Sequence, residues 1–422
     1  MDQAHISECR STSILDLEMA MSTDVPRWSH VNPGSIEALQ VVYKIVERCN
    51  INCSYCYYFN MGETSALSKP AYASHAVTER LAHWIAHGCA QLSIPAVKIA
   101  FHGGEPTMIG VEAFDKACQT FRDVIEPVAR LSLSIQTNGT LFSDEWLQVY
   151  TRHNVGVGVS IDGTQEDNDR FRLDHRGRST FKKTEAAISR LVEAYPLGGP
   201  PPSTISVIHP DNDYRLIYRY LRGLGVHQMR FLLPDRNMDD AAFIADGSAA
   251  KYGLCLSDLF SEWLSEDNAD IRITFFDQLL AHFRPDVSLS QLTRRPRKKN
   301  QVVIAHSDGT VAVDDTLIPA LAWYEKTPKC MTSEKSLGEF LAHPVFQEIE
   351  EISNYLPSTC LECKWQKVCN GGDIENRFSS QNGFSNPSVY CGAYKQVFKD
   401  VCHILTANGY PEELINVKFG LL

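Results

Sequence analysis

Residues 44–58 read Lys-Ile-Val-Glu-Arg-Cys-Asn-Ile-Asn-Cys-Ser-Tyr-Cys-Tyr-Tyr and place Cys49, Cys53 and Cys56 in a C-x3-C-x2-C run. Three thiolates at this spacing suit three irons of a cubic four-iron, four-sulfur cluster and leave the fourth iron without a protein ligand. An iron with an open position can coordinate a substrate or cofactor, and so becomes a reagent instead of an electron carrier. A structural zinc site or a few buried thiols is the alternative. Zinc sites usually recruit two pairs of ligands, however, and no fourth ligand is local to this run.

Around that run the chain is 422 residues long and 44% hydrophobic, enough for a barrel-sized domain and a smaller one. Charged residues make up 22%, an ordinary soluble composition, and the net charge of −11 argues against nucleic acid as partner. The apolar stretch at Ile14 and Leu15 is broken by Asp16 and Glu18, unlike a signal peptide, and no apolar run reaches the roughly eighteen residues of a membrane span. Thirteen cysteines without a secretion signal favour reduced thiols and metal ligation in a cytoplasmic protein with no membrane partner.

Six β-branched or apolar runs follow one another at 39–46, 97–101, 131–136, 156–161, 203–209 and 228–233. Helical patterns lie between them. Val77, Leu81, Trp84 and Ile85 share a face in 75–89, and Phe114, Cys118, Phe121 and Ile125 do so in 111–129. Phe181, Ile188, Leu191 and Val192 share one in 180–194, and Leu216, Ile217, Tyr220, Leu221 and Leu224 in 213–224. Such alternation predicts an α/β fold, a parallel sheet with crossover helices. The expected division is an irregular extension at 1–37, the α/β domain at 38–240, a helical connector at 241–300 and a cysteine-rich unit at 301–422. The basic run Arg294-Arg295-Pro296-Arg297-Lys298-Lys299 in the connector reads as a solvated loop, or else as a docking surface for an acidic peptide.

The unusual residues fall after the strands, where parallel α/β barrels carry their chemistry. The three cysteines follow the first strand, and His102-Gly103-Gly104-Glu105-Pro106-Thr107 the second. Gln136-Thr137-Asn138-Gly139-Thr140 follows the third and Ser160-Ile161-Asp162-Gly163 the fourth, with His209-Pro210 and Pro234-Asp235 after the fifth and sixth.

The cysteine run with Gly103-Gly104-Glu105 resembles the signature of the radical S-adenosylmethionine (SAM) enzymes, over about 39–400. That resemblance implies a partial (β/α)6 barrel and a cluster whose open iron chelates SAM, which is cleaved to a 5′-deoxyadenosyl radical. It implies that the two glycines approach the methionine part of SAM, that the Glu105 carboxylate meets its ammonium, and that Tyr55 lies beside the adenine. Ser160 and Arg172 match positions that bind the ribose and the SAM carboxylate in peptide-modifying members, although Arg172 also reads as a surface arginine in Arg170-Phe171-Arg172. Gln136 and Asn138 are polar neighbours of SAM on this reading, and Asn138-Gly139 is also a good turn.

Cys360-x2-Cys363-x5-Cys369 with the later Cys391 resembles the SPASM module, which carries two auxiliary iron–sulfur clusters on peptide-modifying radical SAM enzymes. The pattern is incomplete. Asp373 stands where the next cysteine is due, Asp314 stands where a G-x4-C after Gly309 would end, and His306 lies near a third missing position. The resemblance therefore implies two four-iron clusters in all, the radical-generating one and an outer auxiliary one on Cys360, Cys363, Cys369 and Cys391. Cys330 is a spare thiol that could rescue an inner cluster, and a zinc ribbon is the alternative for the outer four. Cys89, Cys118, Cys255 and Cys402 read as packed thiols.

The likeness extends to maturases of ribosomally made peptides, and most closely to those that form three-residue cyclophanes by joining an aromatic ring carbon to a β-carbon. It implies a precursor peptide as substrate, a flavodoxin- or ferredoxin-type electron donor, and Asp315 as catalytic base, since related sulfatase-maturing enzymes use an aspartate in that place. Formylglycine formation on a sulfatase, peptide epimerisation and thioether formation are rival reactions. An iron–sulfur or zinc redox sensor is the rival of a different class.

Overall fold

All six expected runs are strands in the computed structural model, which describes residues 31–284 and 299–419. Most of the N-terminal extension, with Cys9, and the basic residues Arg294–Lys298 lie outside the described residues. The strands in chain order are β1 (Ala38–Val46), β2 (Ile51–Cys53), β3 (Ala96–Gly103), β4 (Arg130–Thr137), β5 (Val155–Ser160), β6 (Arg172–Asp174), β7 (Pro202–Val207), β8 (Gln228–Leu232), β9 (Arg272–Ile273), β10 (Asn300–Ala305), β11 (Thr310–Val313) and β12 (Cys330–Met331). Ten of them form one sheet, ordered β12-β11-β10-β1-β3-β4-β5-β7-β8-β9. From β10 through β1 to β9 every neighbour is parallel, and β11 and β12 add as an antiparallel edge.

Four strands of this sheet, β9 to β12, exceed the six-strand expectation. Short β9 extends it beyond β8, and β10 pairs in parallel with β1, Ala38 facing Asn300 and Tyr43 facing Ala305. The sheet thus runs on into the cysteine-rich segment. β2 and β6 pair separately, with Cys53 opposite Arg172.

Alternation along the strands sorts the side chains. Leu39, Val41 and Tyr43 of β1, Val97, Ile99 and Phe101 of β3, and Val155, Val157 and Val159 of β5 are buried against the helices. The opposite face carries Gln40 and Lys44, Lys98 and His102, Ser134 and Gln136, and Gly156, Gly158 and Ser160. That polar, small-residue face lines the concave side of the partial barrel.

The predicted helices appear as His75–Leu92, Val111–Ile125, Phe181–Ala194 and Tyr214–Gly223. The aromatic and aliphatic stripe Phe114, Cys118, Phe121 and Ile125 has no exposure. Each such side chain contributes about 1.5–3 kcal/mol by leaving water. One stripe is corrected. Leu216 is 51% exposed, and the buried face of its helix is Tyr214, Ile217, Tyr218 and Leu221. Steps of three, one and three residues keep those four together, whereas Leu216 lies about 100° from Ile217 around the axis. The helix Asp144–Arg152 between β4 and β5 was not anticipated. Among the described residues no helix is long and apolar enough to cross a membrane.

Candidate active site

The cysteine loop leaves β1 and is clamped at once by the loop after β3. Gly104 N–H donates to the carbonyl of Val46 at 2.8 Å, and Glu105 N–H to that of Arg48 at 2.9 Å. Gly103 has φ +119°, and a Cβ there would stand 2.1 Å from the Val46 carbonyl oxygen. A Cβ on Gly104 would stand 1.9 Å from the Arg48 carbonyl oxygen. Both glycines are therefore required by the main chain that enters the cysteine run, a nearer cause than approach to a cofactor.

Glu105 has a structural part as well as its expected one. Its carboxylate is buried and accepts from Thr107 N–H (3.0 Å), Thr107 Oγ1 (2.5 Å), Thr137 Oγ1 (2.7 Å) and Asn138 N–H (2.7 Å). Burial raises its pKa, and these donors oppose the rise. Three of these donors fall on Oε1 and one on Oε2, so Glu105 ties the loop after β4 to the loop after β3 while Oε2 keeps room for a further donor. Asn138 carries the tie onward. Its amide donates to Asn50 Oδ1 at 2.8 Å and its carbonyl accepts from Thr140 Oγ1 at 2.7 Å, while Asn50 donates to Thr140 Oγ1 at 2.8 Å. The residue after Cys49 is thereby fixed to the third loop.

Tyr55, Asp162 and Arg172 form one buried system behind the cysteines. The Tyr55 hydroxyl donates to Asp162 Oδ2 at 2.5 Å and accepts from Arg172 Nη1 at 2.9 Å. Asp162 also accepts Val207 N–H at 3.0 Å. Arg172 is 7% exposed, which excludes the surface-arginine alternative. Its guanidinium acts on both Cys53 and Cys56. Gln136 lies across Gly158, where a Cβ would meet its Oε1 at 2.4 Å, and donates to Ser160 Oγ at 2.8 Å.

A second buried system was not foreseen. Lys44, fully buried, pairs its ammonium with Asp315 Oδ2 and donates to the Tyr57 hydroxyl (3.2 Å) and His102 Nδ1 (3.3 Å). The Tyr57 hydroxyl in turn donates to Asp315 Oδ2 at 2.8 Å. Burial works to raise the Asp315 carboxyl, but the Lys44 charge, with hydrogen bonds from Lys44 and Tyr57, outweighs it and holds it below the usual range. Burial and the Lys44 charge push His102 down to about 3, so the imidazole is neutral and accepts from Lys44. Asp315 is thus an ionised, paired carboxylate, a weaker base than an unpaired one. A lone lysine within Val41-Val42-Tyr43-Lys44-Ile45-Val46, at the parity facing the barrel interior, was the available signal. Asp235, after β8, is pushed up to about 6 by burial, Asp315 and Asp373.

The positions read as remnants of an inner cluster are occupied otherwise. His306 Nδ1 bonds to Glu47 Oε1 at 2.9 Å, and Glu47 also accepts the Tyr58 hydroxyl. Asp314 Oδ1 caps the following turn at Thr316 N–H, 3.1 Å. Cys330 lies opposite Val311 at the sheet edge, with Lys335 and Glu334 the charges acting on it.

Every cysteine among the described residues is free. Cys49, Cys53 and Cys56 are half-buried and act on one another, and burial pushes Cys49 up to about 12. Cys369 is likewise pushed up to about 12 by burial and by Cys391, Cys360 and Cys363. Two sets of neighbouring, unpaired thiols, the first on the loop region after β1 and the second on the short helices Ser358–Leu361 and Gln366–Cys369 and at the start of the helix Cys391–Ala407, fit iron–sulfur ligation, with the thiol protons displaced on metal binding. Among the described residues no three His, Cys, Asp or Glu side chains are placed to hold a single metal ion. Thiolates on one tetrahedral zinc need bonds of about 2.3 Å to a common centre.

A site of clustered thiols on loops at the C-terminal ends of parallel strands defines a class, and comparison with known proteins agrees. Residues 43–215 match the family model of the Radical SAM superfamily and form a radical SAM domain. The chain is 27% identical over 384 residues to the serine-type anaerobic sulfatase-maturating enzyme of Bacteroides thetaiotaomicron, covering 84% of this chain and 86% of that protein. It is 25% identical to a cysteine-type anaerobic sulfatase-maturating enzyme of Clostridium perfringens, covering 83% and 92%. The same fold occurs in native anSMEcpe with bound AdoMet, with TM-score 0.71 and 22% identity over 91% of this chain and all (100%) of that one. Streptococcus suis SuiB bound to precursor peptide SuiA has TM-score 0.53 and 14% identity over 82% and 73%.

Proposed function

We propose that this protein is a radical SAM maturase of a ribosomally synthesised peptide that removes a β-hydrogen and closes a carbon–carbon crosslink from an aromatic ring to that carbon. The observation that carries the proposal is the convergence of Cys49, Cys53 and Cys56 with the Gly103-Gly104-Glu105 clamp and the buried Tyr55–Asp162–Arg172 system. When bound, a four-iron cluster and SAM supply a 5′-deoxyadenosyl radical. Cys49, Cys53 and Cys56 would hold the cluster. Arg172 would turn its guanidinium to the SAM carboxylate, with Gln136 and Ser160 beside the sugar and Tyr55 and Asn138 framing the pocket. The barrel is the radical-generating unit, residues 38–240. The segment 301–422 bears the auxiliary cluster on Cys360, Cys363, Cys369 and Cys391, which would take the surplus electron as the ring regains aromaticity. Asp315 or a neighbouring carboxylate would accept the proton. A flavodoxin- or ferredoxin-type protein would supply the electron that starts the reaction.

Support for a peptide substrate comes from the relatives, which are named for maturing sulfatases, and from proteins of this fold seen with peptides. Sulfatase maturation is the second reading, favoured by relatives that match over 83–84% of the chain. The aspartates at 314 and 373, in place of inner-cluster thiols, favour the crosslink.

The test is anaerobic co-expression with each short open reading frame that sequencing finds beside the gene, followed by tandem mass spectrometry. A peptide lighter by two hydrogens whose fragment series stops between the joined residues supports the crosslink. A product that reacts with an aldehyde probe identifies formylglycine and refutes it.

A further inference from the structure

We infer that Lys44 is a positioning residue for the radical-generating cluster, whose reduction potential it sets by holding a cation against the cysteine loop while Asp315 balances it from the C-terminal segment. Lys44 has no exposure, and all of its polar contacts are internal: Asp315 Oδ2, the Tyr57 hydroxyl at 3.2 Å and His102 Nδ1 at 3.3 Å. The ammonium also lies 4.3 Å from the centre of the Tyr58 ring and 5.5 Å from that of Tyr57. Tyr57 and Tyr58 directly follow Cys56, so Lys44 is packed against the side chains of the two residues next to this ligand.

Stability alone does not call for this arrangement. A buried ion pair is commonly no better than an apolar pair of the same volume, because desolvation offsets the attraction. A cluster, however, gains negative charge on reduction, and its potential follows the charges and dipoles around it. The Lys44–Asp315 pair is a fixed dipole whose cationic member is the one built into the cysteine side. Arg172, the other buried cation of the site, is likewise balanced, through the Tyr55 hydroxyl, by Asp162. The carboxylate that Lys44 holds comes from the turn after β11, so the C-terminal segment takes part in tuning a cluster held by the barrel.

The dipole matters only if a cluster is bound at Cys49, Cys53 and Cys56, as proposed above. The test is potentiometric titration, followed by electron paramagnetic resonance, of full-length protein reconstituted anaerobically with iron and sulfide. The signal that changes on adding SAM identifies this cluster. Lys44→Met should lower the midpoint, Asp315→Asn should raise it, and the double variant should fall between them. Lys44→Arg should stay near the parent. A Lys44→Met midpoint at or above the parent overturns the inference. If Lys44→Met does not fold, Asp315→Asn decides alone, and an unchanged or lowered midpoint overturns it. Failure of the parent protein to bind iron at these cysteines sinks the cluster assignment and the inference together, whereas a normal cluster with unmoved midpoints sinks the inference only.

Discussion

The Glu105 carboxylate accepts the backbone N–H of Asn138 at 2.7 Å, across the gap between two neighbouring strand ends. Three further donors from Thr107 and Thr137 share the same carboxylate. Glu105→Ala should strand these buried donors and cost about 2–4 kcal/mol in urea unfolding, since hydrogen bonds to a charged group contribute about 1.5–3 kcal/mol each and are not additive. Iron content after reconstitution should fall in parallel, because Asn138 holds Asn50 beside Cys49.

Gly104→Ala should be more damaging at the site than in the fold. The new methyl would stand 1.9 Å from the Arg48 carbonyl oxygen and 2.8 Å from Cys49 N. The clash is with main chain, so the cysteine loop must shift. Overpacking of this kind costs about 1–3 kcal/mol. Iron and sulfide analysis should show loss of the first cluster in protein that still melts cooperatively.

Arg172→Lys keeps the charge and loses the planar fork. Lysine cannot both donate to the Tyr55 hydroxyl and pair a carboxylate in two places. SAM affinity measured by equilibrium dialysis should fall about 10- to 100-fold, about 1.4–2.8 kcal/mol. Undiminished affinity would remove Arg172 from the SAM pocket.

Cys391→Ser should take iron from about eight to about four per chain, one four-iron cluster being lost. About twelve irons in the parent protein would mean that an inner cluster survives despite Asp314 and Asp373.

Asp235 gives a pH-dependent stability. Its carboxyl is raised from 3.8 to about 6 by burial and by Asp315 and Asp373, with Tyr57 and Tyr390 also facing it. A raised carboxyl pKa means that the ionised form is disfavoured in the folded chain. The penalty is fully present above about pH 6 and fades as pH falls from there toward 3.8. Its upper bound is about 3 kcal/mol, and partial exposure reduces it to about 1–2 kcal/mol. Asp235→Asn should therefore stabilise the protein at pH 8 and much less at pH 5, as read by urea unfolding at both.

The strands of the barrel were legible because each run is apolar on the buried side and bounded by turn residues, as in Val97-Lys98-Ile99-Ala100-Phe101 before His102-Gly103-Gly104. The cysteine run and the Gly-Gly pair were legible because few other structures need those residues at that spacing. What the glycines and Glu105 touch was not, since the partners Val46, Arg48 and Asn138 are set by how three loops meet. The pairing of β10 with β1 was hidden for a similar reason. Ala38 and Asn300 are distant in sequence, and local periodicity carries no information about strand order. Lys44 and Asp315 were each visible, but not as a pair. Leu216 faces solvent because an apolar residue of an amphipathic helix need not lie on its buried stripe.

The parallel pairing of β1 with β10 also bears on how the chain is made. Until residues 300–305 have left the ribosome, β1 lacks one of its two sheet neighbours. Asp315, which neutralises Lys44, emerges later still. The nascent chain thus displays its three cysteines on a scaffold with one open edge and an unbalanced lysine in its interior. Iron loading before synthesis ends would meet an unfinished cradle, and C-terminal truncations short of β10 should yield aggregation-prone barrels through that unpaired edge.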